Sequence, residues 1–329
     1  MRRCRDWVRS FSPAEIAELE TALRQSRHLE IVDVDRAAFP LPTLADELIR
    51  LRDEVVEGRG FVLLKGLPIE RYTREDAARI YWGIGCHLGK AVSQNGKGHL
   101  LGHVRDLGYD VADPNVRVYQ TTERQYYHAD SCDIVALLCL ATAKRGGLSS
   151  LVSSTTLYNE MMARRPDLAA LLSEPVAFDR RGEVPAGEKP FYMMRIFNHH
   201  DGLISGYYVR RYAESAARHA DAPKLTEAHR EAFDLLDALA DDEDLHLEMQ
   251  LDAGDIQLVH NHTVFHDRTA YEDWTEPDRK RHLLRLWLCP PNGRPLPPAY
   301  KQRWGGIEIG DRGGIVVPGA ALNVPLEPV

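Results

Sequence analysis

From about Val116 to Leu288 the chain is a succession of short apolar runs separated by turn residues, and this texture restricts its fold more than any other feature. The runs are Asp133 to Leu140, Phe191 to Phe197, Leu203 to Val209, Leu245 to Leu251, Asp255 to Val259 and Leu283 to Leu288. Each is rich in the residues that fill strands. Leu245, Leu247, Met249 and Leu251 alternate with His246, Glu248, Gln250 and Asp252, the period of a half-buried strand whose polar face is wet. Such a series predicts a β-sandwich or barrel.

Helices flank it. Ser12-Pro13-Ala14-Glu15 supplies an N-cap, a proline at the first helical position and a capping-box glutamate, followed by Ile16, Leu19 and Leu23 at helical spacing. A second helix is read from Leu44, Leu48, Leu51 and Val55, stopped by Gly58, before the strand-like Gly60 to Leu64; a third runs from Thr73 to about Leu88. Helical stretches around Thr155 to Leu172 and from Thr226 to Ala240 read as an insertion and a buttress, and the Pro- and Gly-rich chain after Pro290 as an irregular tail. The class is mainly β with flanking helices (α+β). With no repeat or low-complexity linker, one domain over 1–329 is expected: N-terminal helices over 12–88, a β-core over about 100–289 and the tail over 290–329.

Bulk properties exclude several functions. The longest strongly apolar run, Ile134 to Ala141, falls far short of the roughly 20 residues that span a bilayer. The basic N-terminus has no apolar stretch behind it, so no secretory signal is read and the cytoplasm is expected. Cys4, Cys86, Cys132, Cys139 and Cys289 form no CxxC pair and, being odd in number, no complete disulfide set. A formal charge of −8, with basic residues in scattered pairs such as Arg164 and Arg165 or Arg210 and Arg211, argues against a nucleic-acid partner. A small-molecule substrate fits better, and a homo-oligomer is compatible with the sequence.

Two histidines and one carboxylate on one face of a metal leave its other positions open for a chelating co-substrate and dioxygen. Tyr127-His128-Ala129-Asp130 offers an H-x-D pair: in an extended segment residues two apart point the same way. His199-His200-Asp201 has the same form, but Asp201-Gly202 between two strand-like runs reads as a hairpin turn. His229-Arg230-Glu231 lies in a helix, where residues two apart diverge. For the distal ligand His260, His262 and His266 share strand parity, and spacing does not choose among them.

The turn Gly254-Asp255, the strand after it, Asn261, a histidine five positions on at His266 and then an arginine-bearing strand together resemble the taurine dioxygenase (TauD/TfdA) family of Fe(II)/2-oxoglutarate-dependent oxygenases. The likeness covers approximately Gly60 to Leu288, with Gly60-Phe61-Val62-Leu63-Leu64-Lys65-Gly66 similar to the family's early strand. It implies a double-stranded β-helix (jelly-roll, cupin-like) core and His128, Asp130 and His266 as ligands of Fe(II). It also implies 2-oxoglutarate and O2 as co-substrates, with release of succinate and CO2 and hydroxylation of an unactivated C–H bond. Asp130, where related halogenases carry a small residue, disfavours halogenation.

The distal carboxylate of 2-oxoglutarate needs a fixed, planar, permanently charged partner, and arginine suits it. Arg285 shares a strand face with Leu283 and Trp287, and a buried guanidinium implies an anion, either a ligand carboxylate or an Asp or Glu of the fold. The resemblance matches Arg285 to the 2-oxoglutarate arginine, Arg281 to a second arginine and Ser149, after Gly146-Gly147, to a hydroxyl on the same ligand, with Ser150 its rival. For the substrate, Arg124, Tyr126 and Tyr127 precede the first ligand, Arg268 follows the last, and Tyr208 and Arg210 lie in a strand region suited to line the pocket mouth; together they suggest a small carboxylate, sulfonate or amino acid, and each also has a structural reading as a surface arginine or core tyrosine. A non-catalytic cupin-like protein that binds a metal or small acid is the main rival. A nucleotide-binding reading of Gly83-Ile84-Gly85-Cys86-His87-Leu88-Gly89 fails because the spacing is one residue too long for GxGxxG and falls late in a helix.

Overall fold

The computed structural model describes residues 6–113, 116–315 and 319–328, so Cys4 lies outside the described residues. Ser12 caps the helix Pro13–Ser26 through a complete capping box with Glu15. The helices Leu44–Val56 and Arg74–Leu88 follow, with the strand Phe61–Lys65 between them. Gly83 and Gly85 are packing glycines: a Cβ on Gly83 would come within 2.4 Å of the Phe39 ring, and one on Gly85 within 2.8 Å of Leu286.

Two sheets carry the core. The larger runs Val8–Ser10, Phe61–Lys65, Ile256–His260, Ile134–Ala141, His282–Cys289 and Lys90–Ala91, with Leu101–Val104 also paired to His282–Cys289. The smaller runs His246–Met249, Ser149–Ser153, Val264–Arg268 and Gln125–His128, all antiparallel. Their facing sides meet in one cluster that joins Phe61, Leu63 and Val259 to Leu151, Met249 and Val264. This is the double-stranded β-helix.

Period-two alternation explains the layers. Val62, Leu64, Ala136, Leu138, Leu284, Leu286 and Leu288 face the N-terminal helices, while their neighbours face the opposite sheet. On the other side the helices Ser154–Arg164, Pro166–Leu172 and Glu227–Ala240 cover the smaller sheet around Phe178, Phe233 and Phe265.

Three expectations need correction. The run from Phe191 to Phe197 is two strands, Phe191–Met194 and Phe197–His200, and the run from Leu203 is ordered as strand only to Gly206. The latter two form the expected hairpin around Asp201 and Gly202, both at positive φ. The tail is not merely draped. Tyr300, Arg303 and Trp304 are buried, and Arg312, fully enclosed, donates to Asp133 at 2.7 Å and to the carbonyls of Arg294 and Ile307 at 2.6 and 3.1 Å. The reason is electrostatic: Asp133, just before the central strand, has no exposure, and a buried carboxylate requires a counter-charge. Among the described residues no helix is long and apolar enough to cross a membrane.

Candidate functional site

The strands Gln125–His128 and Val264–Arg268 pair with His266 opposite His128, and the two rings stand 4.1 Å apart between centroids. Asp130 follows two residues later. One ligating atom from each of His128, Asp130 and His266 lies within 4.8 Å of the others; no other such set converges among the described residues. Asp130 Oδ1 lies 3.7 Å from His128 Nε2, and Oδ2 lies 3.9 Å from His266 Nε2.

Surrounding groups set each donor. His128 Nδ1 lies 2.9 Å from the Tyr126 carbonyl, which can only accept, so Nδ1 carries the proton and Nε2 keeps its lone pair, which accepts from the Gln125 side-chain amide at 2.8 Å. Asp130 Oδ2 receives Trp287 Nε1 at 2.9 Å and Arg285 Nη1 at 3.1 Å, leaving Oδ1 toward His128. Burial opposes the Asp130 charge, yet Arg285 and the two imidazoles hold its pKa at about 2. Burial depresses His128 and, with the neighbouring His128, pushes His266 down to about 3. Neutral imidazoles with an ionised carboxylate are the protonation states a metal requires.

The three histidines left open by spacing have separate roles here. His260 Nδ1 meets Thr263 Oγ1 at 2.9 Å, and His262 Nε2 meets Asp133 Oδ1 at 2.8 Å, so only His266 turns to the pair. His199 and His200 stay in the hairpin, and His229 sits three residues after the cap Thr226 at the start of its helix.

Two cavities meet at this triad. The smaller is lined by His128, His266, Ser149, Arg268, Arg281 and Arg285. Ser149 pairs across from Arg268, two residues along from the His266–Leu151 pair, which puts both about 7 Å beyond the metal donors along the strands. Arg268 Nε and Nη1 and Arg281 Nη1 are buried without hydrogen-bond partners. Burial, with Arg281 beside it, lowers the Arg268 pKa to about 10, and burial likewise lowers Arg281. Ser149 Oγ bonds Gln257 at 3.0 Å, whereas Ser150 is turned to the Tyr127 hydroxyl at 2.6 Å. Arg285, by contrast, donates to Gln94 Oε1 at 2.8 Å as well as to Asp130.

The larger cavity, about 510 Å³, is lined by His128, Asp130, Arg285 and Trp287 on the triad side. Of the residues expected at the substrate, Arg124, Tyr126, Tyr127 and Arg210 line it. Arg124 is bound to Asp241 and Asp267, and Arg210 to Glu214, Asp234 and Asp237. Tyr208 is not in its wall; its hydroxyl donates to Asp237 at 2.9 Å, and the adjacent Tyr207 faces the cavity instead. Arg268 belongs to the smaller cavity. Arg117, Arg181, Arg211 and Arg303 line the larger one and had no periodic signal, since they come from loops, a helix start and the tail.

Residues 24–287 match the sequence family described as Taurine catabolism dioxygenase TauD, TfdA family. The chain belongs to that family. This TauD/TfdA chain is 36% identical over 297 residues to the FR-33289 synthase of Streptomyces rubellomurinus (strain ATCC 31215), covering 89% of this chain and 87% of that protein. It shares 27% identity over 181 residues with a uridine-5'-phosphate dioxygenase of Streptomyces sp, covering 51% of this chain and 62% of that protein. Its fold is that of an asparagine oxygenase solved with Fe(II), 2S,3S-3-hydroxyasparagine and succinate, at a TM-score of 0.65 and 16% identity, covering 86% of this chain and 93% of that one. The non-heme iron oxygenase OrfP, solved with Fe and alpha-ketoglutaric acid, superposes at a TM-score of 0.63 with 14% identity, over 85% and 93% of the two chains. This TauD/TfdA protein is an Fe(II)/2-oxoglutarate-dependent oxygenase and not a metal-binding cupin without turnover.

Proposed function

We propose that His128, Asp130 and His266 hold iron(II), that Arg281, Arg268 and Ser149 receive the distal carboxylate of 2-oxoglutarate, and that the enzyme hydroxylates a C–H bond of a small anionic substrate in the larger cavity. The observation that carries this reading is a deprotonated His-Asp-His set opening on one side to buried guanidinium groups that have no carboxylate partner among the described residues. Two adjacent buried cations are unfavourable unless an anion joins them. A five-carbon diacid chelated at the triad would bring one there, since the anchor residues lie about two strand positions away.

This reading shifts two expected roles. Arg285 is committed to Asp130 and Gln94, so it fixes the metal carboxylate and borders both cavities, and Arg281 takes the distal anchor. Arg268 moves from substrate to co-substrate.

Iron bound with 2-oxoglutarate and O2 supplies the oxidising chemistry, releasing succinate and CO2. The chain's own residues hold the co-substrate in one orientation, keep the donors unprotonated and present the substrate from the opposite cavity. Apolar Val135, Leu137 and Leu283 wall the smaller cavity and limit water there. The relatives named above are called after, or were solved with, small polar molecules, in keeping with a small substrate here. Four described cysteines, all unpaired, fit a reducing cytoplasm.

The test is succinate release by purified protein given Fe(II), 2-oxoglutarate and O2, across a set of small acids. Substrate-stimulated succinate that disappears in Asp130→Ala is expected. Binding of 2-oxoglutarate without succinate from any acid would restore the non-catalytic alternative.

A further inference from the structure

The arginines that line the larger cavity fall into two groups by charge balance. Arg124 and Arg210 are each held by two or three carboxylates. Arg117, Arg181, Arg211 and Arg303 share, among the described residues, one paired acid, Glu183, which reaches Arg117 and lies 3.8 Å from Arg303. Arg181 and Arg211 donate instead to main-chain carbonyls, Val116 at 3.1 Å for Arg181 and Val111 and Asp113 for Arg211. Asp179, next along the chain from this group, is already bound to Arg218 at 2.8 Å and to His219 at 3.1 Å.

Arg181 makes the imbalance specific. Its residue is 8% exposed, it sits at φ 51, and its Nε is buried with no partner. A non-glycine residue in the left-handed region, holding a buried cation toward a cavity, is unfavourable unless something compensates. Lining the same wall, the side chains of Arg117, Arg211 and Arg303 repel it unless an anion lies among them.

From this wall we infer that the substrate carries a phosphoryl-type dianion, a phosphonate or phosphate monoester, bound by Arg117, Arg181, Arg211 and Arg303. The inference rests on the proposed oxygenase reading and names its substrate class. A carboxylate or sulfonate offers one negative charge; a phosphoryl group offers close to two, with three acceptor oxygens arranged in a tetrahedron. Several guanidinium forks converging from different segments match that geometry better than a planar carboxylate, which one bidentate arginine satisfies. The dianion would sit against the arginine wall and direct its carbon chain toward the face formed by His128 and Asp130.

The test is titration calorimetry with four probes of matched length: propylphosphonate, propyl phosphate, propanesulfonate and butyrate. The protein is first loaded anaerobically with Fe(II) and saturating 2-oxoglutarate, and the visible absorption of that complex is recorded. That absorption reports on the underlying oxygenase reading alone. The phosphonate or the phosphate should bind at least tenfold more tightly than the sulfonate and the butyrate, and the stronger of the two identifies the source of the group. Arg211→Gln, at a partly exposed position, and Arg181→Gln should each remove most of that preference while the absorption persists. Equal or tighter binding of butyrate or propanesulfonate, or a phosphoryl preference intact in a folded Arg211→Gln protein, would overturn the inference.

Discussion

The side chain of Asn261 closes around the backbone of Asp130. Its Oδ1 accepts the Asp130 N–H at 2.8 Å, and its Nδ2 donates to the Asp130 carbonyl and, at 2.9 Å, to that of Cys132. Asn261 thus ties the segment bearing the metal carboxylate to the turn that precedes His266, without touching the metal position. Asn261→Ala should weaken Fe(II) binding by about 10- to 100-fold, the usual cost of losing support behind a ligand. It should also destabilise the fold by about 1–3 kcal/mol through the unsatisfied backbone groups. Calorimetric metal titration and a thermal melt check both; unchanged metal affinity would show that the turn holds its shape alone.

Arg281→Met should raise the KM for 2-oxoglutarate by about 10- to 100-fold, the value of a charged hydrogen bond to a carboxylate. Fe(II) affinity should be nearly unchanged, because Arg281 does not contact the triad. If the KM for 2-oxoglutarate stays constant in Arg281→Met and rises only in Arg285→Met, the anchor is Arg285.

The tail residue Arg312 neutralises Asp133 in the interior. Arg312→Met leaves that carboxylate with His262 alone and should cost roughly 3–5 kcal/mol in urea unfolding, as removal of one partner of a buried pair does. A loss below about 1 kcal/mol would mean that water reaches Asp133.

Acid should destabilise the protein partly through a histidine pair remote from the triad. His282 Nε2 lies 2.7 Å from His103 Nδ1, and His103 Nε2 lies 2.9 Å from the Pro325 carbonyl, so His103 donates to Pro325 and accepts from a neutral His282. Burial, then His103, Arg105, Arg74 and Arg281, push the His282 pKa down to about 3, against about 6.5 in an unfolded chain. Between these values the unfolded chain binds the extra proton, so stability falls as pH drops below about 6.5 and is level above it. Melting temperatures from pH 7.5 to 4.5 should decline less steeply in His282→Gln than in the parent; identical slopes would remove His282 from the account.

Much of the fold was legible because period and punctuation agreed. The Ser12 capping box, the stop at Gly58 and the alternation in Leu283 to Leu288 are local signals that tertiary packing reinforces. The His128–Asp130 pair was legible for the same reason. Parity failed for the distal histidine because His260, His262 and His266 do not share one strand: the chain leaves the larger sheet at His260, turns through Asn261 to Thr263 and enters the smaller sheet at Val264.

The substrate wall was not legible at all. Arg117, Arg181, Arg211 and Arg303 lie far apart in the chain and are gathered by packing of loops and tail, which leaves no pattern in sequence. Tyr207 and Tyr208 differ only in which side of an extended segment each occupies, and both are apolar enough for either.

On the proposed reading His266, not its neighbours, completes the iron site. Anaerobic addition of Fe(II) to protein with 2-oxoglutarate, followed by visible absorption, tests it directly when the parent is compared with His266→Ala and His260→Gln. A band saturating at one iron per chain is expected in the parent and in His260→Gln, and no band in His266→Ala. A band of undiminished intensity and affinity in His266→Ala would contradict it.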